Sequence, residues 1–181
     1  SAASDVYKRQ ELIRANSLED AKITAYHIGF VLGPCINASG RLDTAARSLA
    51  LLNAKTKEEA ARLAGDLTAL NQSRKALTEK GKEEAIRIIE TTELKNDRVL
   101  VVYLPDCHES LAGIIAGRIR EKYHRPAFVL TGGETSAKGS GRSIESYSMY
   151  EELVKCADLM IQFGGHPMAA GLSICLLYTS P

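Results

Sequence analysis

The stretch from Thr56 to about Glu90 constrains this chain most, because it keeps a helical apolar period over a length that few small domains contain. Thr56-Lys-Glu-Glu59 has the spacing of a capping box, in which a threonine hydroxyl and a glutamate three residues on each serve the other's backbone. Ala60, Leu63, Ala64, Leu67, Leu70, Leu77, Ala85, Ile86 and Ile89 then recur so as to share one face. A stripe of that length needs partners along its whole run, so it predicts a connector that packs on both sides, with Gly65 and Gly81 as its weak points. Arg62, Arg74, Lys75, Lys80 and Lys82 form either its solvated face or a track for a nucleic-acid backbone.

After Asn96-Asp97 the period changes. Val99 to Leu104 is a nearly continuous apolar run, as expected of a strand buried on both faces. His108 to Lys122 predicts a helix and Ala127 to Leu130 a second strand, so the order is that of a βαβ unit with a right-handed crossover. Ser148-Met-Tyr-Glu151 is a second capping box, opening a helix to about Gln162, and Gly171 to Cys175 is a final strand. Upstream, apolar patches at Leu12-Ile13 and Ile23 to Leu32 predict helix, punctuated by Gly33-Pro34. The fold class is α/β.

Three glycine-bearing stretches interrupt these elements. Lys138-Gly-Ser-Gly-Arg-Ser143 predicts a sharply turning anion-binding loop, with Gly139 bringing backbone close to a ligand, Ser140 offering a hydroxyl and Arg142 a planar fork suited to phosphate. Phe163-Gly-Gly-His-Pro-Met-Ala-Ala-Gly171 repeats the device at Gly164 and Gly165, and His166 adds a donor to phosphate. Asn37-Ala-Ser-Gly-Arg-Leu42 predicts a third loop. There Asp43 or Thr44 caps a helix from Ala45 to Leu52 whose N-terminus faces an anion held by Arg41, unless Arg41 simply pairs with Asp43. A P-loop is excluded, since Lys138 is followed by Gly139-Ser140 where that motif needs lysine directly before serine or threonine. His108-Glu109 falls where the first strand hands over to its helix, a favoured ligand position, although a glutamate at a helix start also serves the macrodipole. Arg118, Arg120, Lys122 and Arg125 form a basic cluster on and after that helix.

Composition narrows the function class. The chain has 181 residues, 45% of them hydrophobic, and a formal net charge of +1, so any nucleic-acid contact is a local patch. No apolar run approaches the roughly 18 residues of a membrane span and no secretory leader is evident. Cys35, Cys107, Cys156 and Cys175 are scattered, as are His27, His108, His124 and His166, so no metal or redox motif is found and reduced thiols in a cytoplasmic protein are expected. Residues 1–10 and 176–181 fit no periodic pattern and are expected to be non-native ends on a piece of a larger protein.

NASGR, KGSGRS and FGGHPMAAG in that order, with the long helix between the first two and the strand followed by His108-Glu109-Ser110, resemble the RecJ family of single-strand-specific exonucleases within the DHH phosphoesterase superfamily. The resemblance implies a DHH-domain tail at 11–53, a connecting helix at 54–95 and a DHHA1 substrate-binding domain with a small mixed or parallel sheet at 96–175. It also implies that Mn2+ or Mg2+ is held by an upstream domain, since the chain has no Asp-His-His triplet; no metal and no catalytic residue is expected in this fragment, which alone would be inactive. On the same basis Arg41 holds a phosphate near the domain junction with Asn37 shaping its turn. Ser140 and Arg142 bind phosphate oxygens at the 5′ end of single-stranded DNA, Gly164 and Gly165 let the backbone close, and His166 contacts the phosphate next to the metals. His108, Lys138 and Gly139 are secondary candidates. Many relatives carry Gly-Val-Ile-Gly where this chain has Ser110-Leu-Ala-Gly113, so a family role carries over to Gly113 and not to Ser110. Implied partners are single-stranded DNA and, as candidates, a single-strand-binding protein or a helicase, with no membrane. Two other readings stay open: a DHH-type oligoribonuclease or small-nucleotide phosphodiesterase, and a non-catalytic DHHA1 nucleic-acid-binding module.

Overall fold

The computed structural model describes residues 2–133 and 135–176; the expected non-native end at 176–181 therefore lies, beyond Leu176, outside the described residues. The chain divides into two compact units, residues 1–76 and 77–181, and the division falls inside its longest helix.

The first unit is helical. Helix α1 (Ala2–Ala15) is followed by α2 (Ala25–His27), a π-helical turn (Ile28–Leu32), α3 (Gly33–Leu42) and α4 (Ala46–Asn53), with α5 (Lys57–Thr91) supplying its last wall. Leu12, Leu32, Cys35, Leu51, Ala60, Leu63 and Leu67 make the core. A polar network runs through it: Asn71 donates to Cys35 Sγ and Cys35 to Asn16 Oδ1, both at 3.4 Å. Residues 2–10 lie within α1, where Tyr7 donates to the Ala54 carbonyl at 2.8 Å. Two expectations fail here. The NASGR stretch is not a loop but the body of α3, held helical because Cys35, Ala38 and Ser39 are buried and the Ser39 and Ser48 hydroxyls bond at 2.6 Å. Neither Asp43 nor Thr44 caps α4, whose N-cap is Ala45, and Asp43 instead pairs with Arg47 one turn on.

Helix α5 starts as its sequence predicts: Glu59 N–H donates to Thr56 Oγ1 at 3.2 Å, and the Glu59 carboxylate accepts from Lys55 N–H at 2.9 Å. Gly65 and Gly81 do not break it. At Gly81 a Cβ would meet Ile115 Cδ1 at 2.6 Å, so this glycine is there for close packing. On its exposed side Arg62 pairs with Asp66, Lys82 with Glu79 and Arg87 with Glu84, as a solvated face should.

The second unit is built on a five-stranded sheet in the order β1-β2-β3-β5-β4. A 3-10 turn (Glu93–Asn96) leads from α5 into β1 (Leu100–Leu104), α6 (Glu109–Tyr123), β2 (Ala127–Thr131) and β3 (Ser136–Arg142), then α7 (Met149–Lys155), a 3-10 turn (Ala157–Leu159), β4 (Gln162–His166) and β5 (Ala169–Cys175). β1 and β2 are parallel across the α6 crossover, whereas every other pairing is antiparallel. β1 proves to be an edge strand buried on one face only: Leu100, Val102 and Leu104 are buried while Val101 and Tyr103 are 43% and 42% exposed.

The two glycine motifs of this unit are strands, not loops. Glycine is needed at Gly139 and Gly141 for room rather than for turning: a Cβ would lie 2.5 Å from Leu130 Cδ2 at the first and 2.5 Å from Phe128 Cε1 at the second. The second capping box does not form either. Ser148 Oγ is buried without a partner among the described residues, and α7 stops at Lys155 because the chain must turn back into β4 by Gln162.

Candidate phosphate-binding site

Strand register places the candidate residues. In β3 the side chains alternate, so Lys138, Ser140 and Arg142 share one face of the sheet while Gly139 and Gly141 turn to the other, against Leu130, Phe128 and Met149. Pairing carries that first face outward: Lys138 opposes Ser173 and Ser173 opposes Gln162; Ser140 opposes Gly171 and Gly171 opposes Gly164; Arg142 opposes Ala169 and Ala169 opposes His166. The result is a grid of three rows across β3, β5 and β4. Its middle row is nearly bare backbone, and its outer rows carry a lysine with two polar groups and an arginine with a histidine.

Helix α6 covers β2 and β3 on this face but not β4 and β5, so the grid forms the floor of a step whose wall is the first turn of α6. The hollow there has a volume of about 580 Å³ and is lined by Glu109, Ser110 and Ala112 of the helix together with the Lys138 and Ser140 rows. The Lys138 and Arg142 side chains are positioned by identifiable contacts. Lys138 Nζ lies 2.6 Å from Glu109 Oε2 across the mouth of the hollow. Arg142 donates to its neighbour's carbonyl, Gly141 O, at 2.7 Å, and its guanidinium lies on α6 where Gly113 has no side chain: a Cβ there would fall 2.7 Å from Arg142 Nη2.

His166 sits at the β4–β5 turn, which is pinned from outside: Ser143 N–H donates to Met168 O at 2.9 Å and Met149 N–H to Pro167 O at 3.0 Å. Its Nδ1 accepts from Met168 N–H at 3.3 Å, so the neutral ring carries its proton on Nε2, a donor for an anionic oxygen. Gly165 has φ +150, a backbone conformation open to glycine, and a Cβ there would collide with Ala169 O.

The structure thus brings Lys138, Ser140, Arg142, Gly164 and His166 onto one face, with Gly139 and Gly165 beneath them as backbone. Asn37 and Arg41 lie in the first unit, both exposed, one turn apart on α3. His108 caps α6, accepting from Ser110 N–H at 3.3 Å, and borders a different hollow of about 660 Å³ between the second half of α5 and the β1–α6 loop. There burial pushes the Cys107 thiol above its usual range. In the basic cluster on and after α6, Arg118 pairs with Glu121 at 3.1 Å, and Arg125 donates to the Lys95 and Asp97 carbonyls at 2.7 and 3.1 Å. Sequence reasoning missed Gln162 and Ser173. Period-two alternation from Gly164 and Gly171 would have found them, had those motifs been recognised as strands.

Among the described residues no three His, Cys, Asp or Glu side chains converge to hold a metal ion, and no helix is long and apolar enough to cross a membrane. Donors beside open backbone on one face of the sheet are chemistry suited to an anion such as phosphate.

Residues 96–177 match the DHHA1 domain family. The chain is 40% identical over 171 residues to the single-stranded-DNA-specific exonuclease RecJ of Salmonella typhimurium, covering 90% of this chain and 30% of that protein. It is 35% identical over 167 residues to the protein of the same name from Bacillus subtilis, with 91% and 21% covered. A crystal structure of RecJ from Thermus thermophilus in complex with Mg2+ superposes with a TM-score of 0.80 at 31% identity, covering 93% of this chain and 26% of that one. A structure of exonuclease RecJ bound to manganese gives 0.78 at 31%, covering 95% and 42%. The chain thus spans under a third of the length of these curated relatives.

Proposed function

We propose a function from one premise: the chain belongs to the RecJ family, of which it carries the DHHA1 region and the helical segment before it. On that premise the intact protein is a 5′→3′ single-stranded-DNA exonuclease, and this part of it grips the substrate strand. The observation that carries the reading is the three-row grid, in which donors from β3 and β4 flank a floor of Gly171 and Gly164 backbone.

The chemistry follows from what such a surface can hold. A single strand offers a line of phosphates and flexible sugars with few fixed shapes, so affinity comes from charge and from close approach of backbone. Arg142 offers a planar donor fork and His166 a ring N–H on the same row, a pair suited to the terminal phosphate at a 5′ end. Ser140 adds a hydroxyl in the next row, and the glycines leave the strand free to lie on the sheet.

Hydrolysis itself is assigned to the part of the intact protein that this chain does not span. A divalent ion, Mn2+ or Mg2+, would there activate the attacking water and stabilise the leaving oxygen. Arg41 and Asn37, on the exposed side of α3, are proposed to hold a phosphate in the first unit.

The test is binding of the 181-residue chain to a short single-stranded DNA with a 5′ phosphate and to its 5′-hydroxyl twin across a salt series. The expected result is tighter binding of the phosphorylated strand, with Arg142→Ala removing that preference and flattening the salt dependence by about 0.7 per lost contact. Equal affinity for both strands, unchanged by Arg142→Ala in a folded chain, would contradict the reading.

A further inference from the structure

The row of the grid farthest from Arg142 and His166 carries Lys138, a secondary candidate in the sequence. Lys138, Ser173 and Gln162 lie side by side there, and Lys138 is already engaged: Glu109, on the first turn of α6, holds its ammonium at 2.6 Å, with both side chains more than half exposed (61% and 55%). Two strand residues separate successive rows, about 6.8 Å, close to the length of one extended nucleotide. Four residues separate Lys138 from Arg142, about 13.5 Å, so the third phosphate of a strand whose 5′ end sits at Arg142 reaches the Lys138 row.

We propose that Lys138, Ser173 and Gln162 form a second backbone-phosphate subsite, and that Glu109 sets its affinity by holding Lys138 until a phosphate takes the carboxylate's place. This rests on the substrate reading above and deepens it. The exchange is of one ion pair for another. An exposed pair is held weakly, so a phosphate, with its charge spread over several oxygens, can displace it. The displaced carboxylate stays at the mouth of the hollow and repels the next phosphate, so the strand is held firmly at its end and loosely two nucleotides in. Such loose holding allows an enzyme that must advance along a strand to do so.

The test uses the 181-residue chain with a 5′-phosphorylated tetranucleotide and with a 5′-mononucleotide as probes. Glu109→Gln is expected to tighten binding of the tetranucleotide roughly two- to fivefold and to steepen its salt dependence by up to about 0.7. The mononucleotide, which cannot reach the Lys138 row, should bind Glu109→Gln and wild type alike. The gain should shrink when Lys138→Ala is added to Glu109→Gln.

No change for the tetranucleotide overturns the inference. So does an equal gain with and without Lys138, which would make Glu109 a general repulsive charge. If the wild-type chain still prefers a 5′ phosphate and loses that preference in Arg142→Ala, the substrate reading survives either of these results. Absence of any salt-sensitive binding by the folded wild type overturns both.

Discussion

Glycine does two different jobs within one dipeptide of β4, and the two are separable by measurement. Gly165 has φ +150 and abuts Ala169, so Gly165→Ala should cost stability on the order of 1–3 kcal/mol in a denaturant titration. Gly164 has an ordinary strand backbone and nothing within 4 Å of where a Cβ would point. Gly164→Ala should therefore leave stability within about 0.5 kcal/mol of wild type and yet weaken single-strand binding, because its methyl group stands on the floor of the grid. Loss of stability in Gly164→Ala, or unaltered binding, would show that the middle row is not where the strand lies. Both glycines stand out in the sequence, which reads GGH as a loop where the structure makes Gly164 and Gly165 part of β4. GSG and GGH signal turns by composition, whereas here Gly139 and Gly141 accommodate Leu130, Phe128 and Met149, a demand that arises only once three strands are paired.

At the scale of elements, α6 does more than cover the sheet. Its N-terminal turn supplies Glu109 to Lys138, and four residues on Gly113 makes the seat on which Arg142 rests. Gly113→Ala is expected to displace the guanidinium, which is the far end of a flexible side chain, so thermal stability should change little while the preference for a 5′ phosphate falls. A large loss of stability with the preference intact would mean that α6 supports the sheet and does not position Arg142. The sequence showed α5, β1, α6 and β2 within a residue or two because each carries its own period or cap. It did not show α3, β3 or β4, where Asn, Ser and Gly dominate and tertiary packing overrides local preference. The false box at Ser148 has the same origin: the residues have the right spacing, yet Ser148 makes no side-chain cap bond and the chain from Gln162 is taken up by β4.

Over the whole molecule, the two units are unequal in what they disclose. The second contains a five-stranded mixed sheet and the face shared by Lys138, Ser140, Arg142 and His166, all of it on one chain segment. The first presents Asn37 and Arg41 on an exposed face of α3, together with a stacked Tyr26 and Phe30 pair at 5.2 Å on the preceding turns. The order of the three motifs, legible from sequence, identified the family. The face on which Lys138, Ser140, Arg142 and His166 meet was legible only from register, since a slip of one residue in β3 would turn all three of its polar side chains away.

We propose that single-stranded DNA runs along β3 over the face it shares with β5 and β4, with its terminal phosphate at Arg142 and His166. The most direct test is an amide NMR titration of the 181-residue chain with a 5′-phosphorylated tetranucleotide. Shifts are expected at Ser140, Gly164, His166 and Gly171 and, from the third phosphate, in the Lys138 row, with their loss in Arg142→Ala. Shifts gathered instead along the basic side of α5, at Lys75, Lys80 and Lys82, with the grid unmoved, would contradict it.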